Sequence, residues 1–468
     1  MKYTGKQMIE LGLPEGRAIG VCLECLKNSS KEWSTEELSS KLLALYANPH
    51  AFTEDMDFAA VANDLIAQDE NEIALLDTAL EYPIYGAEGI EEGALKQMNQ
   101  AMRLPISRAG ALMPDAHQGY GLPIGGVLAT ENAIIPYGVG VDIGCRMCMS
   151  VFELPVAMLE TDLERFKILL NRSTKFGKAT FKKPQDHEVL ASSLFAEIPI
   201  VKQMHEKAIA QIGSSGGGNH FVEFGITEIL EEDEKLGLKP GKYLGLLSHS
   251  GSRGFGATIA GHYTKLAMEN CRLPHEVRHL AWLDLDSELG TEYWLAMNLA
   301  GEYASACHHQ IHDKISRDLG LTPAARIENH HNFAWKEIGA DGKEYIVHRK
   351  GATPASKDVL GIIPGSMTAP GFIVRGKGVK ESINSAAHVA GRAMSRTRAK
   401  QTLDPKMVNN HLIEAGITLI GSGLDEAPMA YKNIHDVMER QKDLIEVLGS
   451  FHPKIVRMCG DNQFREVD

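Results

Sequence analysis

The stretch GLPIGGVLAT, residues 121–130, sets a glycine-rich turn against a short apolar run. The same texture returns in YLGLLSHSGSRG (243–254) and EYIVHRKGATP (344–354). Runs of roughly four to eight apolar residues bounded by turn formers read as buried strands, and glycine lets the backbone reverse or approach a ligand closely. From about Pro83 onward such runs alternate with helical segments, which predicts a glycine-rich α+β domain. Before that point the period changes. Ala18, Val21, Cys22 and Cys25 recur at helical spacing, and Leu38, Leu42, Leu43 and Tyr46 form a second such run that stops before Pro49. A third helix is predicted from Phe58 to Leu80. The expected organisation is a helical N-terminal extension over residues 1–70 and one large domain over 71–468. Near the other end, Ile434, Val437, Leu444 and Leu448 predict an amphipathic helix ahead of a last strand from Ile455 to Met458.

The chain has 468 residues, 44% of them hydrophobic and 23% charged, enough to bury a substantial core. No stretch approaches the ~20 apolar residues that span a bilayer. The opening MKYTGKQMIELGLPEG lacks the apolar core and cleavage site of a signal peptide, so a cytoplasmic protein is expected. Seven cysteines are too few for a disulfide scaffold and imply reduced thiols or metal ligands. A net charge of −13 argues against coating nucleic acid through bulk electrostatics. It leaves room for a local basic groove, with Arg172, Lys175, Lys178 and Lys182 or Arg392, Arg396, Arg398 and Lys400 as its candidates.

Residues that can carry chemistry cluster among the glycines. MPDAHQGYGLPIGG and YGVGVDIGCRM hold Asp115, His117, Asp142 and Cys145, and a carboxylate three residues before a thiolate can chelate one ion. Cys145-x-x-Cys148 paired with Cys22-x-x-Cys25 is the zinc alternative, although the second pair sits in a helix-period stretch. GSSGGGNHFVEF adds Asn219, His220 and Glu223 after a loop whose consecutive N–H groups suit an anion. His249 ends an apolar run, and His330 and His331 precede Asn332. His308 and His312, at i, i+4 spacing on a predicted helix without an HExxH glutamate, read as surface or packing residues. Asp142, Cys145, His220, His249 and His331 together form an O, S, N set able to hold two divalent ions, with manganese, zinc and iron all open. His348, ending a strand before a basic turn, can serve as base, ligand or nucleophile toward phosphorus. From the residues alone the reading stops at metal-dependent phosphoryl transfer.

MPDAHQGYG, GVDIGC, GGGNHF, SHSGSRG, HHN, HRKGA, PGSM, SAAH-AGR-SR and AYK occur in one order, and in that order the chain resembles the RtcB RNA ligases over roughly residues 83 to 460. The resemblance implies an RtcB-type catalytic domain with Asp142, Cys145, His220, His249 and His331 as ligands of two manganese ions, Cys145 being shared. It implies that His348 is the histidine that takes GMP from GTP. Nucleotide contacts are expected from Asn219, Glu223, Tyr431 and the turn Arg349, Lys350, Gly351, Ala352. The implied reaction joins an RNA end bearing a 2′,3′-cyclic phosphate or 3′-phosphate to a 5′-hydroxyl end, through GMP-histidine and RNA(3′)pp(5′)G intermediates. The PGSM loop, Arg392 and Arg396 are candidate phosphate or RNA contacts.

Three departures stand out. Arg146 occupies a position where the family commonly has glycine, and His388-Val389-Ala390-Gly391-Arg392 stands for HGAGR. Cys459-Gly460 stands where family chains usually finish in Lys-Gly, and is followed by DNQFREVD. Two rival readings use the same residues: a dinuclear phosphoesterase acting on RNA ends without nucleotide, and a non-catalytic RNA end-binding protein.

Overall fold

The computed structural model describes residues 3–13, 17–29, 32–70, 72–339 and 341–460; the DNQFREVD tail lies outside the described residues. The chain divides into two compact units. One comprises Met1–Ala74 with Glu269–Arg278, and the other Leu75–Met268 with His279–Asp468. The first unit is helical, with Gly5–Glu10, Arg17–Asn28, Thr35–Ala47 and Ala59–Glu70 as its α-helices. Ser34 opens Thr35–Ala47 with a capping box, its hydroxyl accepting from the Glu37 N–H. Leu38, Leu42, Phe58 and Val61 close over Met8 and Cys22 in a core of this unit's own. The Cys22 thiol donates to the Met8 sulfur at 3.8 Å. Cys148 is buried in the strand Arg146–Phe152, so neither cysteine pair forms the turn a zinc knuckle needs.

The helix expected from Phe58 to Leu80 ends at Glu70. Beyond it the backbone N–H groups of Ile73, Leu76 and Leu80 donate to the carbonyls of Arg272, Arg103 and Met102, not four residues back. The C-terminal expectation also changes. The helix stops at Glu439, and Leu448 belongs to a 14-residue strand, Ile445–Met458. That strand has register shifts against both neighbours, and such bulges break the two-residue alternation that would have marked it in the sequence.

An eight-stranded sheet organises the second unit. Its path runs Leu360–Ile363, Gly371–Gly376, Ile445–Met458, Phe221–Ile229, Gly241–Ser250, Arg146–Phe152 and Ala325–His330, and Thr418–Ile420 adds in parallel to Ile445–Met458. A four-stranded antiparallel sheet orders Ser107–His117, Ile124–Thr130, Glu344–Lys350 and Phe333–Ile338. On the larger sheet Phe166, Leu170, Phe224 and Leu246 pack with Ile311 and Ile315 of the helix Glu288–Leu319. Among the described residues no helix is long and apolar enough to cross a membrane.

Candidate active site

Four neighbouring strands of the large sheet bring one chemical set to one end. His220 immediately precedes Phe221–Ile229, His249 is the penultimate residue of Gly241–Ser250, Cys145 immediately precedes Arg146–Phe152, and His331 follows Ala325–His330. Antiparallel register aligns them, with Phe221 and Met147 both opposite His249 and Arg146 opposite His330. Asp142 enters from the loop before Cys145. A methyl group at Gly251 would overlap the Asp142 carboxylate, and one at Gly216 would overlap the His220 ring, so a side chain at either position would displace a candidate ligand.

The result is two overlapping triads, Asp142–Cys145–His220 and Cys145–His249–His331, each with donor atoms within 4.8 Å of one another. Cys145 Sγ lies 3.4 Å from His220 Nε2 and 3.2 Å from His249 Nε2. His249 Nε2 is 3.4 Å from His331 Nε2, and His220 Nε2 is 3.0 Å from Asp142 Oδ2. His249 Nδ1 donates to the Asn219 carbonyl at 3.3 Å, which leaves its Nε2 lone pair facing the thiol and the second imidazole. Burial, reinforced by the neighbouring histidines, pushes His249 and His331 well below the usual imidazole range, so both rings are neutral. Burial raises the Asp142 carboxyl, but His220, Cys145 and His249 outweigh it and hold the group below its ordinary value. A carboxylate, a thiol that becomes a thiolate ligand by losing its proton, and imidazole nitrogens converging within 4.8 Å fit divalent cations at both triads.

The set is braced from beneath. His308 Nε2 bonds the Ser250 carbonyl at 3.0 Å and must donate there. Its Nδ1 therefore accepts from the Ser248 hydroxyl at 2.6 Å, Ser248 accepts from His312 Nε2 at 2.7 Å, and His312 Nδ1 accepts from Ser150 at 2.8 Å. His308 and His312 are completely buried. Their place is thus a hydrogen-bonded chain clamping both residues that flank His249, not the surface.

Beside the triads opens a cleft of about 50 Å³, lined by Asn219, Glu223, His249, the PGSM loop, Val389, Glu426, Tyr431 and Met458. Burial pushes the Glu223 carboxyl well above its ordinary value. The Tyr431 hydroxyl is bonded to Glu426, and burial with that carboxylate raises its pKa far above the usual phenol range. Arg392 and Arg396 pair with Glu426, and Arg396 and Lys400 with Asp425, so two carboxylates offset part of this basic run's charge.

His348 does not join this site. It lies inside the strand Glu344–Lys350, is fully buried, and spends both ring nitrogens on backbone: Nε2 accepts from the Ile135 N–H at 2.9 Å and Nδ1 bonds the Leu128 carbonyl at 3.2 Å. Arg349 is likewise structural, bonded to Glu337, Ser385 and the Ile383 carbonyl. The Gly351 N–H donates to Asn332 and Ala352 is buried in the core; none of the four turn residues lines the cleft. The histidine that does meet the triads is His388. Its ring centroid is 4.3 Å from that of His331, its Nδ1 bonds the fully buried Asp115 carboxylate at 2.9 Å, and its neighbour Val389 lines the cleft. The sequence signal was a histidine opening a small-residue turn that ends in arginine, His388 to Arg392, and Asp115 itself stood among the candidates.

The tRNA-splicing ligase RtcB family matches residues 97–198 and 184–458. The chain belongs to the RtcB family. RNA-splicing ligase RtcB1 of Escherichia coli (strain ATCC 25922) is 32% identical over 389 residues, covering 77% of this chain and 92% of the relative. The tRNA-splicing ligase RtcB of Methanococcus maripaludis is 30% identical over 424 residues, 75% of this chain and 88% of the relative. RNA-splicing ligase RtcB homolog 1 of Entamoeba dispar is 29% identical over 415 residues, 74% of this chain and 77% of the relative. Every site residue above lies inside the matched RtcB segments, and the helices before residue 71 lie outside them.

Proposed function

We propose that this RtcB-family chain is a cytoplasmic RNA ligase that uses GTP and two manganese ions to join 2′,3′-cyclic phosphate or 3′-phosphate RNA ends to 5′-hydroxyl ends, and that His388 carries the nucleotide. The observation that supports this most is the Asp115–His388 pair set between the metal triads and the cleft. A carboxylate on Nδ1–H fixes the tautomer with a lone pair on Nε2, the form a histidine needs to attack phosphorus. Divalent ions at the triads would offset negative charge on the transferring phosphoryl group. His388 Nε2 attacks the α-phosphorus, a P–N bond forms, and the P–O bond to pyrophosphate breaks. Where the RNA end is a 2′,3′-cyclic phosphate, water first attacks its phosphorus, breaking the P–O2′ bond and leaving a 2′-hydroxyl and a 3′-phosphate. An oxygen of the 3′-phosphate then takes the GMP and frees the imidazole. The 5′-hydroxyl, giving up its proton, attacks the activated end and GMP leaves. Glu223 in the cleft faces a base with two adjacent N–H donors, which guanine has and adenine lacks; Asn219 and Tyr431 complete the contacts.

The test is incubation of manganese-loaded protein with GTP labelled at the α-phosphate. Label survives denaturation in the unaltered protein and in His348→Asn, and is absent from His388→Ala. Label retained by His388→Ala and lost from a folded His348→Asn returns the role to His348. No label from GTP or ATP, with RNA end hydrolysis persisting, makes the protein a dinuclear phosphoesterase.

A further inference from the structure

Resting on that ligase reading, a second RNA end must reach the triads, and the cleft's own aromatic–cation pair, Tyr431 with Arg392, is tied up with Glu426. A second aromatic cluster beside a lysine lies elsewhere. Tyr120, Tyr137 and His279 form a three-ring cluster, with centroid separations of 6.3 Å, 5.9 Å and 5.1 Å. Tyr120 is 50% exposed, and Tyr137 and His279 are partly exposed. Lys350 Nζ sits 5.0 Å from the Tyr137 ring centroid and donates to the Tyr120 carbonyl at 2.5 Å. The cluster adjoins the triads through the chain. Tyr137 is five residues ahead of Asp142, and a methyl group on the intervening Gly140 would stand 3.7 Å from both Asn332, the neighbour of His331, and the Lys350 side chain. None of these rings lines the cleft that holds Glu223 and Tyr431.

We propose that Tyr120, Tyr137, His279 and Lys350 form the landing site of the 5′-hydroxyl RNA strand, with its terminal base stacked on the exposed rings and its first phosphate held by Lys350. Partly exposed aromatic faces beside an ammonium group are the chemistry that binds single-stranded nucleic acid without reading its sequence. Burial brings the Lys350 ammonium down to about 7, and an incoming phosphate would restore its charge. The site also explains why a strongly acidic protein needs few basic residues here: stacking supplies the affinity, and one cation sets the register.

The experiment measures fluorescence anisotropy of a 3′-labelled single-stranded RNA with a 5′-hydroxyl end, and of the same RNA lacking its 5′-terminal base. Tyr120→Ala and Tyr137→Ala each weaken binding of the intact RNA about 10-fold, while Tyr120→Phe and Tyr137→Phe bind as the unaltered protein does. The abasic RNA binds the unaltered protein as weakly as the intact RNA binds the alanine variants, and the two losses do not add. Lys350→Gln lowers the slope of log affinity against log salt by about 0.7. Alanine variants that bind intact RNA normally, or an abasic penalty that persists in them, overturn the site. Because binding is read without nucleotide, failure of labelling by GTP overturns the ligase reading and leaves this result separate.

Discussion

At the residue scale the shared thiol has the largest consequence. Cys145 belongs to both triads and Asp142 to one. Cys145→Ala is therefore expected to reduce bound manganese from two ions per chain to none, and Asp142→Ala to one, by elemental analysis of dialysed protein. Glu223 gives the pH-dependent case. Its folded pKa is raised by burial, so folding takes up a proton, and stability falls as pH rises from the unfolded carboxyl value of about 4.3 through the folded one. Glu223→Gln should raise the Tm of nucleotide-free protein more at pH 8 than at pH 5. It should also reduce the preference for GTP over ATP about 10- to 100-fold in competition labelling. The five metal-ligand candidates were legible because few residue types bind metals and glycines surrounded them. A histidine ahead of a basic turn looks available in the sequence, whereas the Ile135 N–H fills the His348 Nε2, a partner that no local pattern reveals. The Asp115–His388 pair spans 273 residues, and no local pattern announces a contact at that range.

At the scale of elements, the site is a product of register. One residue of slip between Gly241–Ser250 and its neighbours would turn His249 to the other face and break the Cys145–His249–His331 triad. The buried Ser248–His308–His312 chain ties this strand to the long helix. Ser248→Ala leaves two buried ring nitrogens without partners and is expected to cost about 1–3 kcal/mol in denaturant unfolding. It should also weaken manganese binding, because His249 loses its brace. Elements with one clean period were read correctly, such as Arg17–Asn28 and Thr35–Ala47. The bulged strand Ile445–Met458 was taken in part for a helix because Leu444 and Leu448 are four apart, and only pairing with Gly371–Gly376 and Phe221–Ile229 decides the matter.

At the scale of the whole molecule, each unit has its own core, so the two are expected to respond to different perturbations. Leu42→Ala opens a cavity in the helical unit worth about 2–5 kcal/mol. Limited proteolysis should then cut first within residues 1–74 while labelling by GTP proceeds at the original rate. The helical unit is also discontinuous, completed by Glu269–Arg278, with the Ile73 N–H donating to the Arg272 carbonyl. A ribosome making this protein releases the first 74 residues long before that closing segment. About 200 residues separate them, on the order of 10–40 s of translation at the usual 5–20 residues per second. The first helices to emerge must wait for that closing segment until more than half of the polypeptide has been synthesised. For the nascent chain, the beginning is finished late, and that interval is when a chaperone would have most to hold.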